Sequence, residues 1–486
     1  MKRNGKICSG GYLTVYLALI MTIMLSLYLA LIEGVRSNGI RMEAECIADI
    51  GLNSIFAEYH RELYKQYNLF AIDTSYGTAS AGKSNTEKHL QEYLERNMSL
   101  EDVFLDRFLY KDFMALSLDS LELTKVSILT DEEGAVFRRR AVEAIQDDVG
   151  LTLLEELSQW MKTVTDYEMR ERDIAAEKKE VDEEIEEYNG EKKKISEKQW
   201  IVVDVENPTD KLEEKRKAGI LKSVLDSTEE LSAKKIATDT LISVRMGNGA
   251  ISQGNYSLEE LGALDAFTER FFFQEYLLKY MGCYGNVDEE NALEYQIEYL
   301  VTGEESDIEN LRKTANMLCA LREVSNAVYL FGDEEKCAVA ELLAAILATA
   351  MMLPEITDLL KVTLLLGWAY AESVYDVKVL LEGGKVPLLK DDSTWHYGLE
   401  NALELGNASG ENQIGLSYQD YLRIFMSFTD LNTLTARAMD MVEADIRQTP
   451  GNQMFRLDAC YDALESHIKI KSAYGYSREI IMQKRY

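Results

Sequence analysis

The sequence predicts an α+β protein, predominantly helical: an amino-terminal transmembrane helix continuing into a stalk, then a long helical arm, a small mixed sheet and a helical carboxy-terminal half. Three observations carry this. Tyr12 to Ile32 is a run of twenty-one residues without a charge, long enough to cross a bilayer as one helix. Most of the remaining chain repeats its apolar residues at three-four spacing. A few short stretches instead alternate or are rich in β-branched residues, as strands are. The implied organisation is a cytoplasmic amino terminus (1–11), the membrane helix (12–32), a stalk helix with an α+β region (33–150), a helical arm and its return (151–245), a linker (246–256) and a helical region with strands (257–486).

Lys2, Arg3 and Lys6 precede the apolar run, and positive charge on that side holds the amino terminus in the cytoplasm. The bulk of the chain then lies outside the cell membrane as a single-pass protein. A removable signal peptide has a shorter apolar region and an A-x-A-like exit, whereas this run leaves through Leu31-Ile32-Glu33-Gly34-Val35-Arg36. Thr14, Ala18, Thr22, Ser26, Ala30 and Gly34 recur at every fourth position, and all are small. Such a stripe lets a second helix approach closely in lipid, where packing drives association. Because a period of four drifts against 3.6 residues per turn, only about three consecutive members share a face.

An apolar fraction of 47% is ordinary for a globular chain, and the net charge of −32 argues against nucleic acid as a partner. The six cysteines, at 8, 46, 283, 319, 337 and 460, form no C-x-x-C pair and have no histidine at zinc-ligand spacing, so free thiols are expected.

Beyond the membrane run, Met42, Cys46, Ile50, Ile55, Phe56, Tyr59, Leu63 and Tyr67 keep helical spacing, which predicts one helix from Tyr12 to about Gln66. Asn68 to Asp73 reads as a short strand closed by a turn at Asp73-Thr74-Ser75-Tyr76-Gly77. The basic end, Gly10-Gly11, the helix entered through Leu13-Thr14-Val15, the exit at Leu31 to Arg36 and the helical stalk together resemble a TadE/TadG-like pseudopilin module. Such modules are membrane-anchored parts of tight-adherence pili and of related type II or type IV secretion machines. The rest is similar to a family of Gram-positive membrane-anchored proteins that carry this module and have no established chemistry. The resemblance implies other membrane-anchored pilus or secretion subunits as partners, met through the amino-terminal helix within the lipid bilayer. One residue departs from it. Cleavage after Gly11 would leave Tyr16 as the fifth mature residue, where pilins carry the Glu that neutralises a neighbour's terminal amine, so an uncleaved accessory fits better than a filament subunit.

Glu87 to Asn97 and Leu100 to Phe113 read as helices, Leu121 to Leu129 as a strand, and a helix from near Ala135 carries Arg138-Arg139-Arg140, a basic cluster expected to pair with nearby carboxylates. Trp160, Tyr167, Ile174, Val181, Tyr188 and Ile195 recur every seventh residue, with Leu157, Val164 and Ile185 at the second heptad position, which predicts a projecting helical arm. Gln199 to Glu206 is a strand candidate. Asn207-Pro208 caps a helix running to about Leu225. Gly247, Gly249 and Gly254 mark a linker between the two halves. Leu258 to Leu277 predicts a helix ending at Gly282, and Leu293 to Val301 alternates as the clearest strand in the chain, with one wet face. Ser306 and Glu309 form a capping box for a helix over Asp307 to Phe331. Ala338 to Leu353 and Val362 to Ala371, across Pro354, are too short and too interrupted to span a membrane and read as a hairpin of central core helices ending at Gly383-Gly384. Ser417 and Asp420 open a helix to about Ile446, and His467 to Tyr474 alternates as a last strand.

Chemistry-bearing motifs are absent from the sequence: there is no G-x-G-x-x-G, P-loop, G-x-S-x-G, H-E-x-x-H or EF-hand loop, and His60, His89, His396 and His467 stand far apart. The expectation is a protein that is not an enzyme and uses no cofactor or metal, a structural or assembly component of a Tad-like pilus or secretion apparatus. The rival readings are a membrane-tethered binding or sensing module and a hydrolase acting on the cell wall.

Overall fold

The computed structural model describes residues 10–98, 114–146, 154–166, 183, 192–196, 199–202, 209–225, 227, 231–256, 266–403 and 414–486. They form two compact units, each built from separate stretches: Met1–Glu132, Ser252–Leu261 and Met454–Tyr486 in unit one, and Glu133–Ile251 and Gly262–Gln453 in unit two. The linker expected at 246–256 therefore does not divide the chain into an amino- and a carboxy-terminal half. Its end is stitched into unit one, where Asn255 exchanges backbone and side-chain hydrogen bonds with Val126 (3.0 and 2.9 Å) and Thr124 (2.9 Å). Gly254 lies so close to Asp131 and the Val126 carbonyl that a Cβ there would collide with both.

Six strands are described: β1 (Ile72–Asp73), β2 (Leu116–Ile128), β3 (Lys192–Ser196), β4 (Gln199–Val202), β5 (Cys460–Ser472) and β6 (Ser477–Arg485). In unit one β5 is the central strand, antiparallel to β2, β1 and β6. Helix α1 (Gly10–Phe56) is the spine of this unit. Its residues from Tyr12 to Val35 are solvent-facing save for half-buried Ile20. From Ile40 onward it buries Ala44, Ile47, Ala48, Leu52, Ile55 and Phe56 against Leu90 and Leu94 and against Leu123, Ile128, Leu464, Ile468 and Ile470 of the sheet.

The single helix expected to reach Gln66 breaks after Phe56. Tyr59 bridges to Ile72, the His60 N–H donates to the Ala71 carbonyl (2.9 Å), and His60 Nδ1 accepts from the Leu63 N–H (3.2 Å), capping a new helix α2 (Arg61–Tyr67). The strand expected from Asn68 shrinks to β1, because Asn68 takes a left-handed φ of 52° to end α2. Helix α3 (Lys83–Met98) starts before the expected Glu87, and the expected helix at 100–113 lies outside the described residues. β2 covers the expected strand as far as Ile128 and starts five residues earlier, at Leu116. The alternation at His467 to Tyr474 is the second half of β5 rather than a last strand, since β6 follows it.

Unit two begins at Glu133, within α4 (Asp131–Glu143), a helix that starts earlier than Ala135 with left-handed residues at Glu132, Glu133 and Gly134 (φ 51°, 56° and 80°). The arginine cluster pairs with carboxylates as expected: Arg138 with Glu269 (3.3 Å), and Arg139 and Arg140 with Glu143 (3.7 and 2.6 Å). Residues 154–166 are helical (α5) and bury Leu157 and Val164, the start of the heptad seam. Tyr167, Ile174, Val181, Ile185 and Tyr188 lie outside the described residues, and Ile195 is not helical. It sits in β3, which pairs antiparallel with β4, the expected strand at Gln199.

The helix expected from Asn207 to Leu225 is two, α6 (Asp210–Ala218) with Thr209 at its cap position and α7 (Ile220–Val224), separated by Gly219 at φ 97°. Then come α8 (Ile242–Gly247), α9 (Ala266–Tyr280) and α10 (Gln296–Thr302). The last replaces the strand expected at Leu293 to Val301. The supposed wet face is dry: Gln296 and Glu298 are fully buried, with hydrogen bonds to Asp445 and Tyr418, both distant in sequence.

α11 (Asp307–Gly332) has Ser306 at its cap position, but the capping box does not form. Glu309 turns to Arg312 (2.9 Å), while Asp307 accepts from the Glu294 and Tyr295 N–H groups (both 3.0 Å). α12 (Glu334–Ala350) and α13 (Thr357–Leu381) make the expected hairpin across Pro354. Only α13 is central; α12 buries Ala340, Ala344 and Ala348 and leaves Leu342 and Ile346 more than half exposed. α14 (Leu399–Ala402) is short, α15 (Tyr418–Phe428) opens with the expected Ser417–Asp420 capping box, and the helix expected to continue to Ile446 restarts as α16 (Leu431–Gln448) on an Asp430 cap.

The packing of α1 on α3 depends on Gly51, where a Cβ would lie 2.8 Å from Leu94 Cδ2 and 3.2 Å from Leu90 Cδ1. Gly51→Leu is expected to force these helices apart and to cost roughly 1–3 kcal/mol, read as a lowered urea midpoint for unit one.

Candidate functional site

The stripe residues Thr14, Ala18, Thr22, Ser26, Ala30 and Gly34 all lie on the exposed part of α1, and no Cβ at Gly34 would meet another group. Thr22 and Ser26 return their hydroxyls to the helix, to the carbonyls of Ala18 (2.7 Å) and Ile23 (2.8 Å), so the stripe presents little unsatisfied polarity. At its far end the helix is fastened: Arg36 lies 4.1 Å over the Tyr474 ring, Arg478 donates to Ser37 (3.2 Å) and the Tyr476 hydroxyl meets Glu33. Among the described residues α1 is the one helix long and apolar enough to cross a membrane, with its apolar window wholly unburied.

The densest chemistry lies in unit two. α11 and α13 pack side by side, and two acids one turn apart on α13, Glu372 and Asp376, face Arg322 of α11 and Lys390 of the following loop. All four side chains are fully buried. Arg322 donates through Nε to Asp376 Oδ2 (2.9 Å), through Nη1 to the carbonyls of Pro387 (2.9 Å) and Leu388 (3.0 Å), and through Nη2 to Asn326 (3.1 Å). Asn326 donates to the same Asp376 oxygen (3.1 Å). Lys390 Nζ lies 2.6 Å from Asp376 Oδ1 and in contact with Glu372 Oε1. Glu372 is further held by His396 Nδ1 (3.1 Å) and by the N–H groups of His396 (3.1 Å) and Tyr397 (2.9 Å). Burial by itself raises the Glu372 carboxyl, but His396, Lys390 and the Tyr397 N–H outweigh it and hold the group below the usual range.

Two cations balance two anions here, so the cluster is neutral in charge and clamps the 385–397 loop onto two helices. The sequence places His396 far from the other three histidines and gives it no partner. The structure holds it, half-buried, against Glu372, while Asp392 pairs with Lys336 (2.6 Å). Glu372, Asp376, Arg322 and Lys390 went unnoticed; the available signal was an acid pair at i,i+4 inside an otherwise apolar helix.

A second buried group surrounds α10. Glu298 Oε1 accepts from the Tyr418 hydroxyl (2.7 Å) and the Tyr284 N–H (2.9 Å), while Oε2 has no hydrogen-bond partner. Burial pushes this carboxyl up to about 7, and Asp440, which accepts from Tyr299 (3.0 Å) and the Ser243 N–H (2.9 Å), up to about 6 for the same reason. Among the described residues no group of three or more His, Cys, Asp or Glu is placed to hold a metal ion, and Cys46, Cys283, Cys319 and Cys337 are free thiols.

These features define a predominantly helical α+β protein with one long, unburied apolar amino-terminal helix and a charge-clamped helical unit. Residues 198–472, more than half the chain, match the model of a family of unknown function (DUF5702), and the chain belongs to that family. No curated protein and no solved structure matches it.

Two predictions follow from the buried charges. Arg322→Met leaves Asp376 and two loop carbonyls short of a donor and is expected to cost ~3–5 kcal/mol in chemical denaturation, against ~0–1 kcal/mol for Lys361→Met at the surface pair with Glu341. Glu298 has a folded pKa above its unfolded value of 4.5, so its proton stabilises the fold fully below pH 4.5, and that contribution is lost as pH rises through about 7. Stability of unit two should fall between pH 5 and pH 8 by an amount on the order of 3 kcal/mol from this group, and Glu298→Gln should flatten that part of the profile.

Proposed function

We propose that this protein is a membrane-anchored, extracytoplasmic structural or assembly component of a tight-adherence-type pilus or a type II/IV-related secretion apparatus. The observation that carries the reading is α1. Its apolar half is bare, its other half is the core of unit one, and the change falls at Glu33 to Ser37, where Tyr474, Tyr476 and Arg478 grip it. Tyrosines and arginines at the end of an apolar helix suit the membrane–water interface, and Lys2, Arg3 and Lys6 suit the cytoplasmic side. A helix continuous from lipid into a folded unit couples lateral contacts in the membrane to that unit without an intervening hinge. The resemblance of the first 70 or so residues to a pseudopilin module, which lies outside the matched family region, supports the type of machine.

In this reading, small residues at Ala18, Thr22 and Ser26 admit a partner helix. Replacing all three by Leu should leave insertion intact and reduce recovery of crosslinked membrane partners by roughly tenfold, against exchange of Leu17, Leu25 and Leu27 for apolar residues of similar bulk. A tag after Tyr486 should be cleaved by protease added outside intact, wall-stripped cells; a protected tag overturns the topology. If the Leu variant keeps its partners, the helix is a simple tether and the tethered binding module becomes the better reading.

A further inference from the structure

The contact of Lys390 with Asp376 has a geometry that an ordinary ion pair does not need. Asp376 Oδ1 accepts no hydrogen bond although Lys390 Nζ lies 2.6 Å away, so the nitrogen sits beside the carboxyl group off the hydrogen-bonding direction. The other oxygen, Oδ2, is held by Arg322 Nε (2.9 Å) and Asn326 Nδ2 (3.1 Å), two donors placed where negative charge would grow if the carboxyl carbon were attacked. Glu372, touching the same Nζ, is fixed from behind by His396 and two backbone N–H groups. The Trp395 ring lies 5.5 Å from Nζ, and all four charged side chains are shut away from water.

We propose that Lys390 and Asp376 condense into an intramolecular isopeptide bond, with Glu372 as proton relay, stapling the end of α13 to the loop that follows it. The Lys390 ammonium gives a proton to the Glu372 carboxylate, and the neutral Nζ attacks Asp376 Cγ. Negative charge gathers on Oδ2 against Arg322 and Asn326. Cγ–Oδ1 then breaks and Nζ–Cγ becomes an amide. Oδ1 leaves as water carrying the two protons lost from Nζ, one of them passed through Glu372, which ends as the carboxylate it was. Nothing is oxidised or reduced, and no co-reactant is required.

Burial supplies the direction. In water, an ammonium and a carboxylate are well solvated and resist condensation; inside the unit both have lost their hydration, and an amide removes that cost. The cluster remains neutral afterwards, with one cation in Arg322 and one anion in Glu372. Proximity fixed by the fold replaces the activation that an amide bond otherwise needs.

The test is mass spectrometry of the full-length chain purified from membranes. The main species should be lighter than its sequence mass by one water, and proteolysis should yield a branched peptide joining the segment of Asp376 to that of Lys390. Glu372→Gln, close in shape, and Lys390→Met should both show the full mass and unbranched peptides. A cyclic imide elsewhere gives the same mass loss but opens in mild base, so a loss that disappears in base overturns the proposal. Unlinked Asp376 and Lys390 peptides from the wild-type chain overturn it whether or not either variant folds. A branched peptide that persists in Glu372→Gln overturns the relay role.

Discussion

One helix carries two kinds of surface, an apolar half that nothing covers and a half packed on a sheet, and the architecture of unit one follows from that constraint. An α-helix satisfies its own backbone, so α1 can continue unbroken while its side chains change environment. Between Tyr12 and Gly39 no residue of α1 is fully buried; from Ile40 the inward positions close onto the sheet. The helix ends where tertiary pairing outcompetes it. Tyr59 and His60 leave the helical ladder to bond Ile72 and Ala71, and this sets β1 in register with Tyr461 and Cys460 of β5. Tyr486 closes the same corner, its hydroxyl on the Phe56 carbonyl (2.6 Å) and its ring 4.7 Å from that of Phe56.

Unit two is held differently. α13 is buried over nearly its whole length, which apolar residues alone would explain, yet it carries two acids at its most enclosed part. An unpaired charge there would cost more than several apolar contacts return, so Arg322 and Lys390 are required, and Lys390 dictates the path of the loop after Gly383. Buried pairs of this kind add specificity because few other packings satisfy them. The exposed pairs, such as Lys361 with Glu341, have no comparable influence on the fold. The function proposed rests on the bare half of α1 and not on this cluster, since a closed, charge-neutral ion group offers a substrate no way in.

Much of the outline was legible in the residues. The apolar run of α1, the α12–α13 hairpin across Pro354, the Ser417 capping box and the strand at Gln199 are local signals, and each appears where local chemistry put it. The misreading of α10 has a tertiary cause. Alternation at Leu293 to Val301 implies a strand only if its polar residues face water. Gln296 and Glu298 are instead dry, because Asp445 and Tyr418 reach them from far along the chain.

The sequence by itself determined which segments are apolar, where helices start and stop at strong caps and glycines, and that one helix lacks any charge across a bilayer's thickness. Only the tertiary structure decided that α10 is a helix, that β6 completes the sheet, that the stretch at Gly254 belongs with β2, and that Arg322, Glu372, Asp376 and Lys390 meet. The reason is physical: hydrophobic periodicity and capping are read within a few residues, whereas satisfying a buried polar group depends on a partner whose distance in sequence carries no local mark.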